Sequence, residues 1–293
     1  MKGLIIAAPL ATTAPLSAGA FLFGSVLPDI DMAVRCFGKV GFLRCHQTYT
    51  HSLPVILLAS LVLMPVLAWL GINDPWPALA LAAGMITHSL MDMSNTYGVA
   101  LFTPFGRRRF SLDLVFFIDA TTMAASVLAL AATALLFWRY RLIPAWPAIA
   151  YVAFLSAYWL MRWVVRRRAW KFCPDGTRSL VPSSFKPWRF HGYGASGERA
   201  RLFDLNAVTG AIANEAEKAV FDRQYEQWLQ QVAEYQLMRE LSLGYHAFEA
   251  SRQDGTTMIV CKDLRTRNFG GRYGTLEISF DSRGNLRRKV FRV

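Results

Sequence analysis

Hydrophobic positions crowd into the first half of this chain. A helix that crosses a bilayer takes about 20 mainly apolar residues. Five runs approach that length, at 3–26, 53–71, 76–96, 114–137 and 143–164. Each is followed by a short polar or turn-rich stretch, so the pattern predicts about five transmembrane helices over 1–168. The first run is the weakest, because Pro9 and Pro15 interrupt it. Residues 1–20 also admit a second reading as a signal peptide, with Lys2, an apolar run and the small residues SAGA. The internal prolines and the continuation of the run to Val26 favour a membrane helix.

Past residue 168 the period changes. PWRFHGYG and RARLFDLNAV read as short strands, after an irregular stretch at 170–186. In NEAEKAVFDRQYEQWLQQVAEYQLMREL, Ala219, Phe221, Tyr225, Trp228, Leu229, Val232 and Leu237 recur at helical spacing, which predicts one long amphipathic helix. Strands follow near 244–250, 256–262, 273–280 and 286–292, with Asp-Gly and Gly-Asn turns in RQDGT and DSRGN. The expected architecture is a membrane all-α helical bundle over 1–168, followed by a small soluble α+β domain with an antiparallel sheet over 169–293.

Charge sharpens this division. The 293 residues are 54% hydrophobic and only 18% charged, with a net charge of +12. Residues 1–165 hold ten Lys/Arg and six acids, all Asp, and the remainder holds 22 Lys/Arg and 14 acids. By the positive-inside bias, Arg107–Arg109 and Arg166–Arg168 belong on the cytoplasmic side. With five spans this predicts a multi-pass inner-membrane protein with an external N-terminus and a cytoplasmic C-terminal domain. The four cysteines, Cys36, Cys45, Cys173 and Cys261, form no CxxC pair and read as inert thiols.

That topology gathers chemistry into one layer. Asp29, Asp31, Asp92, Asp113 and Asp119 all fall near the cytoplasmic ends of the predicted helices, as do His46, His51 and His88. Asp74 alone lies in an outer loop. His88 and Asp92 are spaced i, i+4 and share a helix face, half of a workable zinc site. Asp29 and Asp31 are spaced i, i+2 and point the same way only if the loop is extended. Asp113 suits a helix N-terminus, and Asp119 should face the bundle and find a partner, because a charge inside the membrane is costly. Arg109 stands ready to hold an anion. His191 and His246 read as structural or solvated.

Thr-His-Ser-Leu occurs at both 50–53 and 87–90. We expect His51 and His88 to face each other across a helical hairpin. Straight, vertical helices would leave the two rings offset by about 12 Å in height. The pairing therefore requires tilt, a loop folding back into the bundle, or separate ions of a multinuclear site bridged by Asp29 and Asp31.

GSVLPDIDMAV, HQTYTHSL, THSLMDMSNTYG and FTPFGRRRFSLDLVFFIDA, in that order over about 25–120, resemble the bacterial membrane-bound metal-dependent hydrolase family. Its members are also described as LexA-regulated inner-membrane hydrolases, distantly similar to zinc-dependent phospholipase C and single-strand zinc nucleases. GYHAFEAS and VCKDLRTRNFGGRYGTLEISF resemble the C-terminal segment of longer members. The resemblance implies a divalent metal, zinc by preference, bound by Asp29, Asp31, His51, His88 and Asp92, with His46, Arg109, Asp113 and Asp119 in support. Members carry a Thr-His ahead of the first apolar run, whereas residues 1–26 here contain no His.

The expected activity is phosphoester hydrolysis by metal-activated water at headgroup depth, on membrane lipid or a lipid phosphate. Asp31 or Asp113 would accept the proton, and Arg109 would neutralise the phosphate. The competing readings are an ion-coupled transporter and a non-enzymatic membrane protein whose basic tail binds a partner or headgroups. The tail shows no nucleic-acid module, so no nucleic-acid partner is expected.

Overall fold

The computed structural model describes residues 1–141, 143–264 and 274–292. They fall into two compact units, Met1–Trp163 and Val164–Val293.

The first unit is helical, and it departs from the expected five-span bundle. Only two helices among the described residues are long and apolar enough to cross a membrane. They are Ala120–Tyr140 (α6) and Trp146–Trp170 (α7). The first apolar run breaks at its prolines into Lys2–Ala7 (α1), a 3₁₀ turn at Ala8–Ala11 and Pro15–Gly24 (α2), since proline opens a helix but cannot continue one. Leu53–Trp69 (α4) has 17 residues, short of a full crossing. Trp76–Met93 (α5) has 18, but Thr87, His88, Ser89 and Asp92 dilute its hydropathy. A 3₁₀ segment at Leu27–Phe37 and the helix Lys39–Cys45 (α3) fill the connection between α2 and α4.

Two glycines bring α2 and α5 into backbone contact. A Cβ at Gly84 would lie 2.2 Å from the Phe21 carbonyl oxygen, and one at Gly24 would lie 2.3 Å from that of Leu81. Both are far inside any real contact, so the crossing exists only because neither residue has a side chain. Elsewhere α6 and α7 run antiparallel. Asp119 caps α6 by accepting from the Thr122 N–H and takes the Tyr158 hydroxyl of α7, while Ser126 and Tyr151 pair at 2.7 Å. Their outer faces expose Leu128, Leu135, Trp138, Ile149 and Leu160, an apolar surface suited to lipid.

The second unit holds two separate four-stranded antiparallel sheets in place of the one expected. The first comprises Thr177–Pro182 (β1), Arg189–Ser196 (β2), Arg199–Asn206 (β3) and Ile212–Ala219 (β4). The second comprises Tyr245–Gln253 (β5), Thr256–Asp263 (β6), Thr275–Phe280 (β7) and Leu286–Arg292 (β8). Both are meanders in chain order. Asp254 and Gly255 both have positive φ, as a two-residue hairpin turn of this hand requires. Residues 265–273, part of the tail segment singled out in the sequence, lie outside the described residues.

The long helix expected over 214–241 is also corrected. Its first residues, 214–219, belong to the edge strand β4, and only Glu226–Leu229 (α8) and Ala233–Leu241 (α9) are helical. Ala, Glu and Lys favour a helix intrinsically, but propensity is a weak prior. Tertiary pairing wins here. Glu217 lies across from Arg201 of β3 and pairs diagonally with Arg199, and Glu215 pairs diagonally with Arg201, so the facing strands carry complementary charge. Every side chain of β4 is exposed, which left no buried stripe to reveal its period.

Candidate metal centre

The site grows from the α2–α5 crossing. His88 lies one turn beyond Gly84 on α5, so close backbone approach sets its ring against the end of α2. There Nδ1 donates to the Ser25 carbonyl at 2.8 Å. A carbonyl only accepts, so this bond places the proton on Nδ1 and leaves Nε2 as the free coordinating atom.

His51 reaches the same point from the opposite side. It does not begin α4; it sits in the loop just before it, where that chain folds back into the unit. Its carbonyl accepts from Ser89 of α5, and the Leu53 N–H donates to the Leu101 carbonyl. The ring is wholly buried and lies 5.1 Å, centroid to centroid, from that of His88. The loop thus removes the height offset that straight helices would impose. His51 Nδ1 contacts Thr50 Oγ1 at 3.0 Å and Asp31 Oδ2 at 3.4 Å.

Both rings therefore have Nδ1 committed and Nε2 turned inward. Neither buried Nε2 has a hydrogen-bond partner among the described residues. Carboxylates approach both: Asp92 Oδ2 stands 3.2 Å from His51 Nε2 and 3.6 Å from His88 Nε2, and Asp29 Oδ1 stands 3.4 Å from His88 Nε2. Ligand atoms of Asp29, His51 and His88 all lie within 4.8 Å of one another. Two imidazole nitrogens and a carboxylate, with a second carboxylate alongside, fit the donor set of zinc. The committed Nδ1 atoms are the outer contacts that orient metal-bound histidines.

Asp29 and Asp31 do not point the same way. The segment carrying them is a 3₁₀ helix and not an extended loop, and at three residues per turn an i, i+2 pair diverges. Asp29 turns to the Nε2 side, while Asp31 goes behind the site. Asp31 accepts from His46 Nδ1 at 2.8 Å, the Gln47 N–H at 3.0 Å and the Thr50 hydroxyl at 3.0 Å. Burial would raise its pKa, but the bonds to His46 and His51 overcome that and hold it well below the usual carboxylate range. Burial likewise would lower the pKa of His51, and the carboxylates of Asp31 and Asp92 beside it raise it instead. These contacts hold Asp31 against His46 and His51.

The other expected residues lie in different contacts. Arg109 is spent on the backbone: its guanidinium donates to the carbonyls of His46 at 2.7 Å and Gly98 at 3.3 Å, and to Gln47 Oε1 at 3.5 Å. It pins the loop that presents His51. Asp113 takes the Ser111 hydroxyl at 2.9 Å in a turn where its φ is +48°. Asp119 is the cap of α6 already described. Gln47 was not singled out in the sequence, yet its side chain donates to Asp92 Oδ2 at 3.0 Å and its own φ is +59°. A left-handed glutamine beside a histidine has no one-dimensional signature. In the second unit, His191 pairs with Asp204 and His246 with Asp222, both at 2.7 Å.

Residues 2–169 match the model of the YdjM inner membrane protein family. The chain belongs to that family. It is accordingly an inner membrane protein, and the matched span contains every residue of the centre described above. The family's description states a location and no reaction. The chain is also 26% identical, over 184 residues, to the uncharacterized protein YfhP of Bacillus subtilis (strain 168), an alignment covering 58% of this chain and 53% of that relative. The chain thus spans about half the length of the curated relative it matches. No solved structure matches it.

Proposed function

We propose that this YdjM-family protein is a metal-dependent hydrolase of phosphoester bonds, acting on a lipid phosphate at the membrane surface. The observation that carries this reading is the pair of buried, partnerless Nε2 atoms aimed, with Asp29 and Asp92, at a shared point. His51, His88, Asp29 and Asp92 would hold the ion, which when bound lowers the pKa of a water toward neutrality and polarises a phosphoryl oxygen. The chain's own residues supply the rest. Ser25, Thr50 and Asp31 fix the two imidazoles, and Gln47 steadies Asp92. Asp29 is the most exposed carboxylate of the group, at 41%, and its second oxygen can accept a proton from water.

A cavity of about 400 Å³ opens on Asp29, His88 and Asp92 and is bordered by Thr122, Met123 and Ser126 of α6. These are the first turns of a helix long enough to cross the bilayer. The cavity therefore belongs at headgroup level, where a lipid phosphate would arrive. Purified protein should hydrolyse phosphatidic acid or a phosphodiester lipid in mixed micelles. A zinc chelator should abolish turnover, zinc should restore it, and Asp92→Asn should lower it by about a hundredfold or more. Absence of turnover on both ester classes with zinc supplied would defeat the reading.

We also infer that α6 and α7 form a membrane hairpin with both arginine triplets on the cytoplasmic side. Arg107–Arg109 precede α6 and Arg166–Arg168 lie near the end of α7, so an antiparallel pair puts them together. With two crossings the segment before α6 shares that side, whereas five would have put the N-terminus outside. Cys261 cannot report on this because it is wholly buried. Cys36 is exposed and Cys173 half-buried. Both should resist an impermeant maleimide in intact cells and react after lysis. Labelling before lysis would reverse the orientation.

A further inference from the structure

The cavity beside the centre also has a cation in its lining. Lys2, on the first turn of α1, lines it together with Asp29, His88 and Asp92. The hydrogen bond that Lys2 Nζ makes among the described residues goes to the thioether of Met91, at 3.6 Å. A thioether is a weak acceptor, and it leaves most of the ammonium's donor capacity to whatever enters. Gly3 holds α1 in place, since a Cβ there would lie 2.1 Å from Ser25 Oγ. Ser25 is the residue whose carbonyl orients His88, so the lysine and the histidine are positioned from the same turn.

The rest of the wall mixes apolar surface with the hydroxyl residues Ser25, Thr87, Thr122 and Ser126. Met91, Phe117 and Met123 line it, and Phe117 and Met123 are about half exposed. Methionines adapt to irregular aliphatic shapes. The cavity thus combines a cation and a candidate metal group with flexible apolar surface.

We propose that this cavity seats an alkyl phosphate ester, with Lys2 binding the phosphate opposite the His51–His88 pair and the methionine–phenylalanine wall taking the aliphatic chain. The assignment rests on the hydrolase reading for its consequence but not for its test. It gives Lys2 an anion-binding role of its own, beside an Arg109 that donates to the carbonyls of His46 and Gly98. A lysine serves such a site as a compact point charge. The phosphate could belong to a membrane lipid or to a soluble ester, and chain length separates the two.

The full-length protein, in a non-ionic detergent and with its metal content measured, is titrated with ethyl phosphate and with dodecyl phosphate, following ³¹P line width and heat of binding. Dodecyl phosphate should bind more tightly than ethyl phosphate. Lys2→Met should weaken dodecyl phosphate by about tenfold to a hundredfold, as for loss of a charged hydrogen bond, without changing metal content, and Lys2→Arg should retain most of the affinity. Equal binding to wild type and Lys2→Met, or no binding to either, overturns the proposal. Equal affinity for the two esters overturns its apolar half. A protein that carries no metal but loses dodecyl phosphate on Lys2→Met would defeat the hydrolase reading and leave the pocket standing. A zinc-dependent hydrolase indifferent to Lys2→Met would do the reverse.

Discussion

Gly84→Val should strongly destabilise the helical unit. The new Cβ would lie 2.2 Å from the Phe21 carbonyl oxygen, 2.8 Å from the Ser25 nitrogen and 3.0 Å from the Gly24 carbonyl carbon. All three are backbone atoms, so no rotamer change relieves the clash and α2 must move off α5. Overpacking a tight interior typically costs about 1–3 kcal/mol, and a backbone clash belongs at the upper end or beyond. For a protein of this size, about 3 kcal/mol corresponds to a melting shift of roughly 10 °C. The same displacement carries Ser25 away from His88 and should loosen metal binding. Gly19→Ala is the control within α2. Nothing lies within 4 Å of a Cβ there, and alanine is the better helix former by up to about 1 kcal/mol. Thermal denaturation in detergent should show Gly84→Val far below wild type and Gly19→Ala at or slightly above it. A Gly84→Val protein that melts with the wild type would show that the crossing is looser than described.

How far the sequence could be read depended on the range of the interaction. The i, i+4 spacing of His88 and Asp92 needs only a helix, and a helix spans both. The strands β2, β3, β5 and β6 announce themselves by alternation and by turns such as Asp254-Gly255. Span counting failed where composition was read without backbone geometry. Residues 3–26 are apolar enough in total, but Pro9 and Pro15 divide them into pieces that fold against α5. The stretch 214–219 reads as helical because its residues prefer helix, and only the partner charges on β3 decide otherwise. The divergence of Asp29 from Asp31 was hidden for a similar reason: an i, i+2 pair gives opposite answers in an extended loop and in a 3₁₀ turn. Arg109 was assigned to an anion on charge alone. The carbonyls of His46 and Gly98 that occupy it are fixed by a fold no spacing rule contains. Lys2 reads in the sequence only as the charge of a signal-peptide-like start, and its place beside His88 follows from the packing of α1 on Ser25.

The candidate centre itself rests on an energetic argument. A buried polar atom left without a partner costs about 1–3 kcal/mol, and here two such atoms sit on facing rings. Each ring is held from behind, His88 by a carbonyl and His51 by Asp31 and Thr50, so neither can turn away cheaply. A divalent ion held by His51, His88, Asp29 and Asp92 would satisfy both nitrogens and neutralise the two carboxylates. Substituting the ligands should therefore act on metal content before it acts on fold. His51→Ala and His88→Ala should each abolish tight binding, and Asp31→Asn, which disturbs only the support, should weaken it by about ten- to a hundredfold. Asp113→Ala should leave it unchanged. The deciding measurement is elemental analysis of the full-length protein, purified without chelator and equilibrated with zinc, beside His51→Ala and His88→Ala. At least one zinc per wild-type chain and none in either variant is the expected result. A wild-type protein that retains no divalent metal, or variants that retain as much as the wild type, would contradict it.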